Sequence, residues 1–153
     1  MSAASAIDDG VILSEAVRLV GEGVEVTFPV NGRSMRPFIE GGRDSVVLVK
    51  PGSVKRFDVV LARTEDNRHV VHRVLAVEGD RVTLMGDGNL CGREHCKVDD
   101  ILAKVTHVVR PGGVRRPLDS ASMRLAVKLW VAFLPFRRIL LKLYRVKNRI
   151  TDR

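Results

Sequence analysis

Val30-Asn31-Gly32-Arg33-Ser34-Met35-Arg36-Pro37-Phe38-Ile39 is the stretch from which the rest of the chain can be read. It follows an alternating apolar run, Val24, Val26, Phe28 and Val30, whose period of two is that of a strand with one buried face. The segment from Gly32 to Pro37 carries the residue types of a tight, pre-set turn, so the Ser34 hydroxyl is expected on a rigid element. Beyond it, short β-rich runs predict strands near 24–30, 45–49, 58–63, 69–77, 81–85 and 101–109. The turns between them are explicit: Gly41-Gly42, Pro51-Gly52, Glu65-Asp66-Asn67, Gly79-Asp80 and Gly86-Asp87-Gly88. This pattern predicts a mainly β, antiparallel domain. Val70, Val71, Val74, Leu75 and Val77 crowd together, as in a strand covered on both faces.

A serine hydroxyl is a weak nucleophile until a neighbouring base takes its proton. His72, inside the β-branched run after Arg68, is the best candidate for that base, and Asp87 in the Gly86-Asp87-Gly88-Asn89 turn is a carboxylate able to orient an imidazole. The simpler alternative for Ser34 is a turn serine bonded to local backbone, and for Asp87 a turn-former. His69, His95 and His107 lack comparable context and are expected to be structural or solvated.

Three boxes in order resemble the S24/S26 serine peptidases, the superfamily of type I signal peptidases and LexA-like self-cleaving repressors. Gly32-Arg33-Ser34-Met35-Arg36-Pro37 resembles the Ser-Met-x-Pro nucleophile box, and Phe57-Asp58-Val59-Val60-Leu61 resembles the Gly-Asp-Val-Val strand. Val71-His72-Arg73-Val74, followed by Gly86-Asp87-Gly88-Asn89, resembles the base and acidic boxes of the type that uses histidine rather than lysine. The resemblance covers residues 24 to 109 and implies Ser34 as nucleophile, His72 as base and Asp87 as carboxylate partner. Relatives of the histidine type carry a further acidic residue after the Gly-Asp-x-Asn turn. Here Glu94 or the Asp99-Asp100 pair could fill that role, so the third position stays open between Asp87, Glu94, Asp99 and Asp100. The implied activity is a serine endopeptidase acting on a peptide or protein; the alternative is an inactive member kept as a binding or scaffold module. A LexA-like regulator is the weaker reading, because no helix-turn-helix precedes the β region.

At 153 residues the chain accommodates one domain and an appendage, and 45% hydrophobic with 29% charged residues is an ordinary globular composition. Residues 1 to about 10 are small and acidic and are expected to fray; Val11, Ile12, Ala16, Leu19 and Val20 then predict a short amphipathic helix stopped by Gly21 and Gly23. The expected organisation is an N-terminal helical segment over 1–23, the peptidase-like β domain over 24–110, a linker over 111–118 and a helical tail over 119–153. Cys91, His95 and Cys96 lie close together, but a structural zinc wants four ligands, so neither metal nor cofactor is expected. With no secretory leader pattern at the start, free thiols in the cytoplasm are the default.

The net charge of +8 is concentrated in the tail, where residues 119–153 hold nine Lys or Arg against two Asp. There Leu125, Leu129, Ala132, Phe136, Ile139, Leu143, Val146 and Ile150 recur at helical intervals, widened by Trp130, Phe133, Leu140 and Tyr144, with basic residues on the other side. Amphipathic basic helices broken near Pro135 are expected. They could cover the β domain, or lie on an anionic membrane surface at its inner face with Trp130 and Tyr144 at headgroup depth. The longest uncharged run, Leu129 to Phe136, falls short of the roughly 20 residues a span needs. Nucleic acid is not an expected partner, because the basic residues share their helices with a large apolar face.

Overall fold

The computed structural model describes residues 3–151. The alternating run before Ser34 becomes β1, Val26–Pro29. The valine-rich runs that follow become β2, Ser45–Val49, β3, Val59–Arg63, β4, His69–Glu78, β5, Arg81–Met85, and β7, Ile101–Arg110. Two further strands, β6 (Glu94–Lys97) and β8 (Val114–Pro117), were not expected. All paired strands are antiparallel, in the order β1-β2-β7-β3-β4-β5-β6, with β8 added to β7.

The sheet separates two cores, and β3 shows how. Val59 and Leu61 enter one core with Val46, Leu48, Ala103 and Val105, whereas Val60 and Ala62 enter the other with Val74, Val82, Leu84 and Ile101. A strand with both faces covered needs no polar alternation, which is why this run reads as continuously apolar. β6 closes the second core. It pairs with β5, and the Glu65 N–H after β3 donates to His95 O at 2.9 Å, so β3 to β6 curl until the last strand meets the β3–β4 hairpin.

Cys96 on β6 is buried in that second core, and burial pushes its thiol up to about 11, while Cys91 is exposed. Iodoacetamide is therefore expected to modify Cys91 in the native protein and Cys96 only after unfolding, because the thiolate is the reactive species. Equal labelling of both native thiols, read by peptide mass mapping, would contradict the placement of β6.

The chain enters β3 through Phe57 at φ 76°, the left-handed region, at the position where the Gly-Asp-Val-Val pattern carries glycine. Local contacts hold it there: the Phe57 N–H donates to Val74 O (2.8 Å), and the Arg56 guanidinium sits over its ring.

Helix α1, Ala3–Gly21, begins within the stretch expected to fray. Its inner face is Leu13, Ala16, Val17 and Val20, an i, i+3, i+4, i+7 set of which Leu13, Val17 and Val20 pack in the first core and Ala16 is buried, while Val11 and Ile12 are exposed. The segment expected to be a featureless linker instead forms β8, because Gly112 and Gly113, both at positive φ, turn the chain back and four residues pair with β7.

The tail forms α2, Ala121–Ala132, a single 3-10 turn, Leu134–Phe136, and α3, Arg137–Thr151, with the break at Pro135. Ser120 caps α2, its hydroxyl accepting the Met123 N–H. The face that packs is not the one the apolar periodicity pointed to. Val127, Arg137 and Leu141 are buried and Trp130 and Tyr144 half-buried against the domain, so neither aromatic lies on the outward side. No helix among the described residues is long and apolar enough to cross a membrane.

Candidate active site

Ser34 lies in a compact turn after β1. The Phe38 and Ile39 N–H groups donate to Met35 O (3.1 and 3.0 Å), Met35 and Ile39 are buried in the first core, and the Arg36 side chain bonds Glu40 (2.7 Å). Core packing of Met35 and Ile39, directly after the half-buried serine, thus holds its backbone.

The Gly86–Asn89 turn passes directly behind it. The Gly88 N–H donates to Ser34 O at 2.7 Å. A Cβ on Gly86 would lie 2.4 Å from Ser34 O and one on Gly88 2.7 Å from Arg33 O, so both glycines are required by close backbone approach rather than by an unusual φ. Ser34's own N–H donates to no acceptor among the described residues.

His72 lies in β4, paired with Val60 of β3, and is 5% exposed. Its Nδ1 is 2.8 Å from Glu94 Oε2. With the Nδ1 proton donated to that carboxylate, Nε2 is left as the proton acceptor. Ser34 and His72 line one pocket of about 330 Å3, whose remaining wall is mainly apolar: Leu13, Phe28, Val30, Leu61 and Val71. No hydrogen bond joins the two among the described residues; such contacts often tighten only once substrate is bound. His69, expected to be structural or solvated, lines the same pocket.

Asp87, expected to orient the imidazole, makes its side-chain contacts with Arg73. Asp87 takes a two-pronged bond from Arg73, Nε to Oδ1 and Nη2 to Oδ2, both 2.7 Å, with both side chains almost wholly buried. The guanidinium fork engages both oxygens of this buried carboxylate, and Arg73 gains Phe57 O as a further acceptor at 2.8 Å. Of the other candidates, Asp100 is held by Arg63 (2.6 Å), which lowers its pKa, and Asp99 is exposed. Glu94 is the carboxylate that reaches His72.

The C-terminal helices were not expected at this site, yet they reach the Gly86–Asn89 turn. Trp130 Nε1 donates to Asp87 O (2.8 Å), Arg137 Nη1 to Asn89 O (3.1 Å), and Tyr144 Oη to Glu40 Oε2 (3.2 Å). Arg137 is 1% exposed and its Nε has no partner among the described residues. Burial lowers its pKa, and the Asp87 carboxylate acts against that shift.

Residues 11–107 match the family model of signal peptidase, peptidase S26. The chain belongs to that family. The matched segment contains Ser34, His72, Asp87 and Glu94 and ends before β8 and the helical tail. Comparison with curated proteins and with solved structures found no match.

Proposed function

We propose that the chain is a serine endopeptidase in which Ser34 attacks the peptide carbonyl, His72 accepts and returns the proton, and Glu94 holds the imidazole. The observation that carries this reading is the His72–Glu94 contact on a ring that lines the same pocket as Ser34. As Ser34 Oγ bonds to the carbonyl carbon, its proton passes to His72 Nε2 and the imidazolium forms against the Glu94 carboxylate. The Ser34 N–H is the natural first donor to the developing oxyanion. Collapse expels the amine with the proton from His72, and water repeats the sequence to release the acyl group.

The substrate is an extended segment of a peptide or protein. β1 ends the sheet, pairing only with β2 among the described residues, and leads straight into the pocket wall at Phe28–Asn31. An exposed strand edge beside an apolar pocket suits backbone pairing with one side chain inserted. Two free thiols fit a reducing, cytoplasmic setting.

A serine-directed acylating probe followed by mass mapping tests the assignment. Labelling is expected at Ser34 and is expected to vanish in His72→Ala with the fold intact. Labelling elsewhere, or none in a folded wild-type protein, would favour a binding module on the peptidase fold.

A further inference from the structure

The C-terminal helices present two apolar faces, and only one is used. Val127, Trp130, Arg137, Leu141 and Tyr144 face the domain. At about 100° per residue, the opposite side of both helices carries Leu125, Leu129, Ile139, Leu143 and Val146, and Phe136 stands in the turn between them, each between 50% and 61% exposed. Between the two faces runs an exposed basic stripe, Arg124, Lys128, Arg138, Lys142, Arg145 and Arg149, and residues 121–151 contain no Asp or Glu. The helices do not hang free. Trp130, Arg137 and Tyr144 fasten them to the Gly86–Asn89 turn and to Glu40, so the outer face is a fixed surface of the molecule.

We propose that this outer face docks onto an anionic lipid bilayer, with α2 and α3 lying in the interface plane, their outward side chains among the acyl chains and the basic stripe at the phosphates. The charge pattern selects this occupant. A second copy would set one basic stripe against another with no carboxylate on the helices to answer it, and a nucleic acid would take the charges while leaving six large apolar side chains in water. A bilayer with anionic headgroups satisfies both features at once, because apolar burial and surface attraction act on adjacent parts of the same helix. Docking in this way fixes the orientation of the Ser34 pocket relative to the lipid surface. The inference does not depend on the peptidase reading, since a protein with no catalytic power has the same outer face.

Cosedimentation with vesicles tests it, using full-length protein in wild-type and Ser34→Ala forms. Both are expected to bind phosphatidylglycerol-containing vesicles equally and to bind pure phosphatidylcholine vesicles far less, with affinity falling as salt rises. The triple change Arg138→Gln, Lys142→Gln and Arg149→Gln touches only exposed positions and is expected to weaken binding about a hundredfold. Ile139→Gln with Leu143→Gln, also exposed, is expected to lower affinity even at low salt while leaving the melting temperature unchanged. Indifference of the intact protein to anionic vesicles, or equal binding to both lipids, would overturn the proposal. So would a vesicle-free dimer that the Ile139 and Leu143 changes dissociate, which would assign the face to a second copy.

Discussion

Ser34→Ala is expected to abolish peptide hydrolysis, a loss of about a thousandfold or more in kcat, while shifting stability by no more than about 1 kcal/mol. Met35 and Ile39 anchor the turn in the core, and the backbone bond from Gly88 does not involve the hydroxyl, so nothing that holds the turn is removed. Glu94→Gln is expected to behave differently in degree. The amide keeps the shape but can offer its NH2 to Nδ1 and so favour the wrong tautomer of His72, for a loss of about a hundred- to ten-thousandfold with the fold unchanged. Rates on a peptide substrate, measured beside melting curves, check both. Wild-type turnover in purified Ser34→Ala would remove the nucleophile assignment, and wild-type turnover in Glu94→Gln would reduce its contact with His72 to a structural one.

The strands that build the frame were readable because they are local. β2, β3, β5 and β7 announce themselves through β-branched runs between turn residues; His72 lies inside such a run and Ser34 in the turn that follows one. β6 and β8 were not readable for the opposite reason. Glu94-His95-Cys96-Lys97 and Val114-Arg115-Arg116-Pro117 have little strand character of their own and are strands because β5 and β7 offer them an edge. The identity of the carboxylate at His72 depends on that same non-local pairing. Asp87 and Glu94 are seven residues apart, and only the curl that brings β6 round to the β3–β4 hairpin selects Glu94.

The tail illustrates a different limit. Periodicity finds an apolar stripe but does not say what the stripe faces. Here the stripe of Leu125, Leu129, Phe136, Ile139 and Leu143 is turned outward, while the seam against the domain includes a charged residue, Arg137, that any hydropathy rule would place in water. Arg137 is tolerated inside because Asn89 O accepts from it, Met85 sulfur lies 3.8 Å from Nη1, and the Asp87 charge is close by.

Asp87→Ala is expected to lower stability by about 3–5 kcal/mol, the range for removing one partner of a buried ion pair, out of a net stability of about 5–15 kcal/mol for an ordinary domain. Asp87 answers two buried cations. It fills the Arg73 fork at 2.7 Å and counters the charge of Arg137, whose Nε already lacks a partner. Without the carboxylate, two desolvated guanidinium groups remain near one another, and the Gly86–Asn89 turn that grips Ser34 loses its anchor to β4. Activity should therefore fall together with the urea unfolding midpoint. In Glu94→Gln activity should fall with the midpoint unmoved, because that carboxylate lies nearer the surface, 17% exposed against 2% for Asp87. Adding Arg73→Met to Asp87→Leu should recover part of the stability by removing one of the stranded charges, since buried ion pairs are often replaced by apolar residues at little cost. Paired unfolding and rate measurements on these variants separate the two acidic residues. An unmoved midpoint with lost turnover in Asp87→Ala would return Asp87 to the chemistry and leave the Arg73 contact without the structural weight its burial implies.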